Sequence, residues 1–288
     1  MKFLKKLTCA AALAFSFANA HAAVNGAVMN DWVFNPTGGG FANGQVINEY
    51  LDVNGNAFIQ LTPTSTTSFS FVEHAVFNIV QADSNGQLLP LTFAGGNISA
   101  VFQATGTGSF NGAFTFTGGT ISIYQNAVNQ YGSTTGIYGA NQGTEIAKFN
   151  VLAGGGGIVD ASGLPISNGQ VSVIASADVG ALKAGYFFDG KGKDLSTESL
   201  LSFAFTNANN VAKPAKNLVP ELVCEFAGFK GNGCGKGTYA NKPGEYFLLS
   251  NNGQFKLAAE VPEPGSLALF GIAMLGAGVV ARKRANKA

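Results

Sequence analysis

Residues 68–80 read Ser-Phe-Ser-Phe-Val-Glu-His-Ala-Val-Phe-Asn-Ile-Val, and this stretch decides the fold class. Apolar side chains occupy alternate positions on either side of Glu73; they are Phe69, Phe71, Ala75, Phe77 and Ile79. A period of two is typical of a β-strand with one buried and one wet face. The polar Glu73 interrupts the apolar series, and we expect a bulge or a bend near it.

Short runs of the same kind recur along the chain, and Asn-Gly pairs lie between or beside them. These pairs stand at 25–26, 43–44, 54–55, 85–86, 111–112, 168–169, 232–233 and 252–253. Asn-Gly is the strongest short-range signal for a β-hairpin. The pattern predicts an all-β domain, either an antiparallel β-sandwich or a barrel-like sheet. The run Gly154–Gly157 predicts a flexible break, which is either a sub-domain boundary or a long hairpin loop.

The first 23 residues are predicted to be a secretory signal peptide. Lys2, Lys5 and Lys6 precede an apolar stretch from Leu7 to Phe17, and small residues then satisfy the small-x-small cleavage rule. The folded domain is therefore expected to span residues 24–259 and to lie outside the cytoplasm. Both ends of the chain are set aside when the fold is considered.

The mature body, taken as Val24 to Glu260, carries ten Lys, no Arg and 15 acidic residues, which gives a net charge of −5. Nucleic-acid binding normally requires a basic patch, so no nucleic-acid partner is expected. The bidentate arginine clamps that hold phosphate groups are missing as well.

The C-terminal segment 260–288 consists of three consecutive parts. Val261-Pro262-Glu263-Pro264 forms a break, residues 267–281 form an uncharged apolar stretch, and Arg282-Lys283-Arg284 form a basic stop. Fifteen helical residues extend roughly 22 Å, against about 30 Å of hydrocarbon, so the segment can just span a membrane. The basic residues are expected on the cytoplasmic side. A permanent C-terminal anchor is the alternative reading of the same residues.

These three parts resemble the PEP-CTERM sorting signal of Gram-negative bacteria. The resemblance implies recognition by exosortase, a membrane protease, and removal of the helix after a transient stay in the inner membrane. It also implies an exported protein of the cell surface or the extracellular matrix, in an organism that produces exopolysaccharide.

The body is similar to the flocculation-associated subgroup of PEP-CTERM proteins. The stretches that carry this similarity are residues 34–36, 97–102, 120–124, 146–154 and 251–255. The similarity implies a role in cell aggregation or biofilm within a polysaccharide matrix. Cys224 and Cys234 are not part of that pattern.

Cys224 and Cys234 are the two cysteines that remain after removal of the signal peptide. An even cysteine count in an exported protein predicts a disulfide. Closure of this short, glycine-rich loop is worth roughly 2–3 kcal/mol in the chain-entropy model. A zinc site is the weaker alternative, because two thiols without further ligands do not complete its coordination shell.

Four aromatic residues are candidates for contact with sugars. Trp32, Tyr124, Tyr131 and Tyr138 are flanked by amide and hydroxyl side chains. Tyrosine and tryptophan also plug strand ends in many β-proteins, and this reading stays open. Asp and Asn in turns, as in 52–56, 83–86 and 189–194, offer oxygen atoms to calcium, but none completes a binding loop, and no metal site is predicted.

No catalytic residues are predicted. His74 is the only histidine of the mature body, so any Ser-His-Asp triad would have to use it, and no nucleophile motif accompanies it. Glu73, Glu145 and Glu221 are carboxylates that a glycoside hydrolase would need in pairs, but no local pattern selects a pair. We therefore expect a non-enzymatic matrix protein without a cofactor. A carbohydrate-binding module is the first alternative, and a polysaccharide hydrolase is the second.

Overall fold

The computed structural model describes the chain from residue 26 to residue 260 with three short gaps. The described ranges are 26–84, 87–91, 93–166 and 169–260. Strands make up 52% of the protein and helices 7%, which confirms the predicted β-rich class. The predicted signal peptide and the predicted apolar helix at 267–281 lie outside the described residues.

The strands range from two to 17 residues in length. In chain order they are β1 Gly26–Val28, β2 Trp32–Phe34, β3 Gln45–Ile47, β4 Leu51–Pro63, β5 Ser68–Ser84, β6 Gln87–Pro90, β7 Asn97–Ser109, β8 Ala113–Asn126, β9 Thr144–Val151, β10 Gly154–Ile158, β11 Gln170–Ala177, β12 Phe187–Phe188, β13 Leu200–Asn210 and β14 Tyr246–Glu260. Two 3-10 turns, Phe41–Asn43 and Leu195–Thr197, and one π-helix, Val219–Phe226, complete the described elements.

An antiparallel sheet of eight strands closes on itself like a barrel. The neighbours follow the order β14, β13, β11, β10, β8, β7, β5, β4, and β4 then pairs with β14. This closing pair runs from Tyr246 opposite Gln60 to Phe255 opposite Leu51. β9 pairs with β8 and β11 beside the short β10. Of the two predicted architectures, the structure therefore adopts the barrel-like one, in which strand edges are paired rather than exposed.

The interior of this barrel, which we call the lumen, holds the main hydrophobic core. Every second residue of each strand points inward, as the period of a β-strand requires. Phenylalanine rings fill much of the space in edge-to-face contacts, which their quadrupoles favour. The ring of Phe71 lies 5.6 Å from those of both Phe114 and Phe116, and Phe116 lies 5.9 Å from Phe102.

A second core lies on the outer wall of the barrel. There the outward side chains of Phe58, Val76 and Leu248 are buried beneath the helix Val219–Phe226 and the segment around Tyr138. The sheet is therefore apolar on both faces at this place, whereas elsewhere its outer face carries exposed polar side chains together with a few exposed apolar ones such as Phe205. This difference separates the covered part of the wall from the part that can meet a ligand.

The predicted bulge near Glu73 is wrong. Pairing of β5 with β4 and β7 runs through Glu73 without a shift, and Glu73 lies opposite Ile59. The register shift between β4 and β5 lies between Asp52 and Val53 instead. Glu73 keeps the inward phase of the neighbouring phenylalanines, so its carboxyl group enters the lumen.

Asn-Gly pairs of the described chain occur both in a turn and inside strands. Asn111-Gly112 forms the turn between β7 and β8, with Asn111 in the left-handed region at φ 57°. Asn54-Gly55 and Asn252-Gly253, by contrast, lie in the middle of β4 and β14 and face each other across the closing pair. The prediction of turns at these two places is wrong.

The glycines of these two mid-strand pairs are required by close packing. A Cβ atom on Gly55 would lie 2.2 Å from the carbonyl oxygen of Val76, and one on Gly253 would lie 2.2 Å from that of Phe205. Glycine inside a strand often marks such a close approach of backbones. The asparagines beside them point outward.

The predicted flexible break at Gly154–Gly157 is also wrong. These residues belong to β10, which pairs with β8 and β11. A Cβ atom on Gly156, which has φ 103°, would lie 1.9 Å from the carbonyl oxygen of Phe114. The glycine run is thus part of the wall of the barrel and allows neighbouring strands to approach closely.

Candidate functional site

Five neighbouring strands present a row of amide side chains on the outer wall of the barrel. Asn78 of β5 lies opposite Asn54 of β4, and Asn54 lies opposite Asn252 of β14. Asn252 in turn lies opposite Asn207 of β13, which lies opposite Gln170 of β11. We call these five residues the amide face. At about 4.8 Å between strands, the row extends about 19 Å.

The amide face is open to solvent. Asn252, Asn207 and Gln170 are exposed, and Asn54 and Asn78 are partly exposed. Asn252 Nδ2 donates a hydrogen bond of 2.5 Å to Asn54 Oδ1, which orients both amides. Each amide group offers both donors and an acceptor, so the row can match ligand hydroxyl groups, which also donate and accept.

Two grooves lie on this face and meet at Asn252. The first has a volume of about 530 Å³, and we call it the Phe205 groove; its main side chains are Phe205, Asn207, Asn252, Gln254, Gln170 and Ser172. The second has a volume of about 350 Å³, and we call it the Tyr131 groove; its main side chains are Tyr131, Asn54, Asn56, Asn78, Asn209 and Ser250. Both volumes fall in the range of about 300–1,000 Å³ that small-molecule sites occupy.

None of the residues that line these two grooves is charged. The carboxylate next to them in the strand register is that of Asp52, opposite Gln254, and it is buried and accepts a 2.7 Å hydrogen bond from Gln81. The ammonium group of Lys256, two residues beyond Gln254, lies 5.5 Å from the centre of the Tyr50 ring. The chemistry of the face therefore fits an uncharged ligand rich in hydroxyl groups.

Phe205 supplies the aromatic ring of this surface, and the exposed side chain of Ile158 adds a second apolar group to the same groove. It is 50% exposed, and it lies opposite Gln254 on one side and Ser172 on the other. The face of an aromatic ring carries negative electrostatic potential, which attracts polarised C–H groups. When such groups stack on the ring, water is displaced from both surfaces. An exposed ring between amide and hydroxyl side chains can thus hold a molecule that has one apolar face and a polar rim.

The four aromatic residues predicted to contact sugars occupy different surroundings. Trp32 is 0% exposed and its ring packs against Phe187, and Tyr138 is 7% exposed. Neither residue offers a free ring face in this structure. Tyr124 is partly exposed and its hydroxyl group donates to Glu145 over 3.2 Å.

Tyr131 is the one predicted aromatic residue that lines a groove of the amide face. Its hydroxyl group donates to the carbonyl oxygen of Val76 over 3.1 Å, and its ring contacts that of Tyr138 edge to face at 5.4 Å. These contacts fix the ring at the edge of the groove.

Cys224 and Cys234 are placed as a disulfide, with their Cα atoms 5.4 Å apart. Cys224 lies in the helix that covers the outer core, and Cys234 lies in the glycine-rich loop that follows it. A bridge here would tie this loop to the helix. The oxidation state in the exported protein stays a prediction.

His74 and the candidate carboxylates do not form a common site. His74 lies on the outer wall, where its ring meets Phe226 edge to face at 4.8 Å, and burial lowers its pKa. Glu221 belongs to the helix on the same outer side. Glu73 points to the other side of the wall, into the lumen, and Glu145 bonds to Tyr124 on β8.

The lumen contains a small polar site within the apolar core. Glu73, Thr206 and Asn251 line two adjoining cavities of about 40 Å³ and about 60 Å³, and apolar and aromatic side chains line the remainder. Asn251 is 7% exposed and its Oδ1 has no hydrogen-bond partner. Burial raises the pKa of Glu73 from 4.5 to about 7, because the apolar surroundings disfavour the charged carboxylate.

Among the described residues no group of three or more potential metal ligands occurs. The predicted oxygen-rich turn at 189–194 uses Asp189 for the backbone, since its Oδ1 accepts from the amides of Lys191 and Lys193 over 2.8 and 2.9 Å. In the same part of the chain no helix is both long and apolar enough to cross a membrane.

Comparison with known proteins adds information on the end of the chain. Residues 260–284 match the PEP-CTERM protein-sorting motif. No curated protein and no solved structure matches the chain. The fold and the amide face thus define a β-barrel-like body with an uncharged polar surface, and the motif adds that this body is followed by a PEP-CTERM sorting signal.

The motif indicates how the protein is transported. PEP-CTERM signals mark exported proteins that are sorted to the cell surface of Gram-negative bacteria and processed by exosortase, a membrane protein. The predicted sorting residues Val261 to Pro264 and the basic residues Arg282 to Arg284 fall within the matched range. The predicted flocculation subgroup receives no support from these comparisons.

Phe205 and most of the amide face were not predicted as site residues from the sequence. A signal in the sequence is that residues 54–56 and residues 251–253 both combine two asparagines with one glycine. The Asn-Gly pairs in these segments predict turns, and so the signal does not identify a binding surface. Closure of the barrel brings these two segments together, although about 200 residues separate them.

Proposed function

We propose that this protein is an exosortase-sorted component of the cell surface or extracellular matrix that associates with exopolysaccharide and acts without enzymatic chemistry. The observation that carries the proposal is the amide face with its two uncharged grooves, on a chain that bears a surface-sorting signal. Exopolysaccharide association would support flocculation or biofilm formation.

In this proposal the two ends of the chain serve transport only. The signal peptide directs export, the apolar segment 267–281 holds the protein briefly in the inner membrane, and exosortase then removes that segment. Sorting places the barrel-like body in the polysaccharide matrix with its amide face free.

The binding itself is expected to rest on many weak contacts. Hydrogen bonds at a solvent-exposed face contribute about 0.5–1.5 kcal/mol each, because water competes for the same groups. A polysaccharide repeats the same hydroxyl pattern along its chain, so several protein molecules on one strand gain from multivalency. The net charge of −5 on the body keeps copies of the protein apart in solution.

The arrangement of the carboxylates supports a role without catalysis. A glycoside hydrolase needs two carboxyl groups on either side of one bond, about 5–10 Å apart and facing one cleft. Glu73 and Glu221 lie on opposite sides of the barrel wall, and neither groove of the amide face contains a carboxylate.

Co-sedimentation of the purified body, residues 24–260, with exopolysaccharide isolated from the producing cells tests the proposal. Saturable binding without release of reducing ends is expected. If the body stays in the supernatant at every polysaccharide concentration, the matrix association is refuted. Release of reducing ends that persists through repeated purification would instead favour the hydrolase.

A further inference from the structure

The exposed ring of Phe205 is unusual in its setting. Most phenylalanines of the described chain lie in the lumen or beneath the helix, whereas Phe205 keeps 50% of its surface in contact with solvent. Phe41 is another exposed phenylalanine, at 41%, but its ring packs edge to face on Phe188 at 5.8 Å. Phe205 lies in a groove of about 530 Å³, and it is the one aromatic ring among residues that include polar side chains, glycine backbone and the aliphatic side chain of Ile158.

The side chains beside Phe205 can recognise hydroxyl groups in the plane of a stacked ligand. The strand register sets Gln254 and Ser172 directly beside Phe205, with Asn207 and Asn252 two residues further along their strands. Side chains at i and i+2 on a strand share one face, so all five groups point to the same side of the wall. The ring of Phe205 thus lies between two strands, β11 and β14, that carry amide side chains. This arrangement fits a molecule with one apolar face and hydroxyl groups around its edge.

We propose that the Phe205 groove is a defined binding site for uncharged polysaccharide, in which one pyranose ring stacks on Phe205 and its hydroxyl groups bond to Asn207, Asn252 and Gln254. This inference rests on the proposed function and adds the site and the chemical class of its ligand. None of the residues that line the groove is charged. Uronic acids and sulfated sugars would lose part of their hydration here without gaining an opposite charge, so the groove favours uncharged sugars.

The second groove extends the site along the sheet. The Phe205 groove and the Tyr131 groove share Asn252, and the row of amides runs through both. A chain of several sugar units therefore reaches from the ring of Phe205 toward that of Tyr131, while a single sugar occupies the Phe205 groove alone. Affinity is expected to rise with oligosaccharide length until both grooves are filled.

The experiment is isothermal titration of the body, residues 24–260, with defined oligosaccharides. Cellohexaose and mannohexaose serve as uncharged probes, and an alginate hexamer serves as the anionic probe. The variants are Phe205→Ala, the conservative Phe205→Tyr, and Phe41→Ala as the matched control for loss of an exposed phenylalanine. Circular dichroism verifies that each variant is folded, and sedimentation velocity measures its oligomeric state.

An aromatic contact of about 1.4 kcal/mol corresponds to a tenfold change in affinity. Phe205→Ala is therefore expected to raise the Kd for an uncharged hexamer about tenfold, whereas Phe205→Tyr and Phe41→Ala leave it within about threefold. Alginate is expected to bind the wild type at least about tenfold more weakly than the uncharged probes do.

The outcomes separate the site from the function. If the uncharged probes bind equally well to the wild type and to Phe205→Ala, the site is refuted and the matrix association stands. If only alginate binds, the ligand class is refuted. If the body binds neither these probes nor the isolated matrix, the site and the proposed function fail together. Loss of a dimer in Phe205→Ala, without a change in sugar affinity, would identify the groove as a contact between copies of this chain and refute the proposal.

Discussion

Replacement of Glu73 by Gln is expected to change the pH dependence of stability. Glu73 points into the lumen, and no other titratable side chain lines the two cavities that it borders. No cation is therefore placed to stabilise its carboxylate, and burial raises its pKa from 4.5 to about 7. Glutamine has nearly the same size and cannot ionise, so it isolates this one titration.

The direction follows from the raised pKa. Below pH 4.5 the carboxyl group is protonated in both the folded and the unfolded chain, so its titration does not change the free energy of unfolding. As the pH rises toward 7, the unfolded chain loses the proton first, and above pH 7 the folded chain must ionise as well. The folded state of the wild type thus loses stability across this window. The span from 4.5 to about 7 corresponds to about 3 kcal/mol at 1.36 kcal/mol per pKa unit.

Urea denaturation of the wild type and of Glu73→Gln at several pH values between 4.5 and 8.5 measures the effect. The free energy of unfolding of the variant, relative to the wild type, is expected to rise by about 3 kcal/mol from the acidic to the basic end. Glu49→Gln, which changes an exposed carboxylate, is the control. A difference between wild type and Glu73→Gln that stays constant across the range would refute the placement of a cation-free carboxyl group in the lumen.

Three further predictions concern the transport signal, the cysteines and the glycines. Deletion of 261–288 is expected to leave secretion intact and to abolish retention at the surface, and cell fractionation checks this; the same surface fraction with and without the segment would contradict it. Reduction should add two hydrogens to the mass of the exported protein, and Cys224→Ser should lower the free energy of unfolding by about 2–3 kcal/mol; free thiols in the exported protein would exclude the bridge. Gly55→Ala should lower the free energy of unfolding by at least about 1–3 kcal/mol, because the new Cβ atom would lie 2.2 Å from the carbonyl oxygen of Val76. Gly118→Ala is the control, because a Cβ atom there meets nothing within 4 Å. Equal denaturation midpoints for the two variants would contradict the packing argument.

The strand content of the fold could be predicted because it is encoded locally. The alternation in 68–80 follows the inward and outward phase that the structure shows for β5. The hairpin turn at Asn111-Gly112 could be recognised for the same reason, since a turn depends mainly on its own residues, and here Asn111 adopts a positive φ.

Long-range closure decides the parts that could not be predicted. Asn54-Gly55 and Asn252-Gly253 have the sequence of turns, but pairing between β4 and β14 extends both as strands. Nothing local in either segment specifies this partner. Glu73 likewise interrupts an apolar series, and only the lumen cavities show that a carboxyl group is accommodated on the inner face without a bulge.

The candidate site depends on that closure. Asn78, Asn207 and Asn252 come from three separate strands, and only the register of the barrel aligns them. The sequence instead favoured aromatic residues with polar neighbours, and of these Trp32 packs into the interior. The sorting signal, by contrast, is a linear motif and is recognisable from the sequence alone.

The intact mass of the native protein recovered from the exopolysaccharide fraction of cells tests the central claim most directly. The account predicts a product in that fraction that lacks both residues 1–23 and the apolar segment 267–281. A product that retains residues 267–288 and remains with the membrane fraction would contradict it, because the body would then be a permanently anchored domain and not a matrix protein.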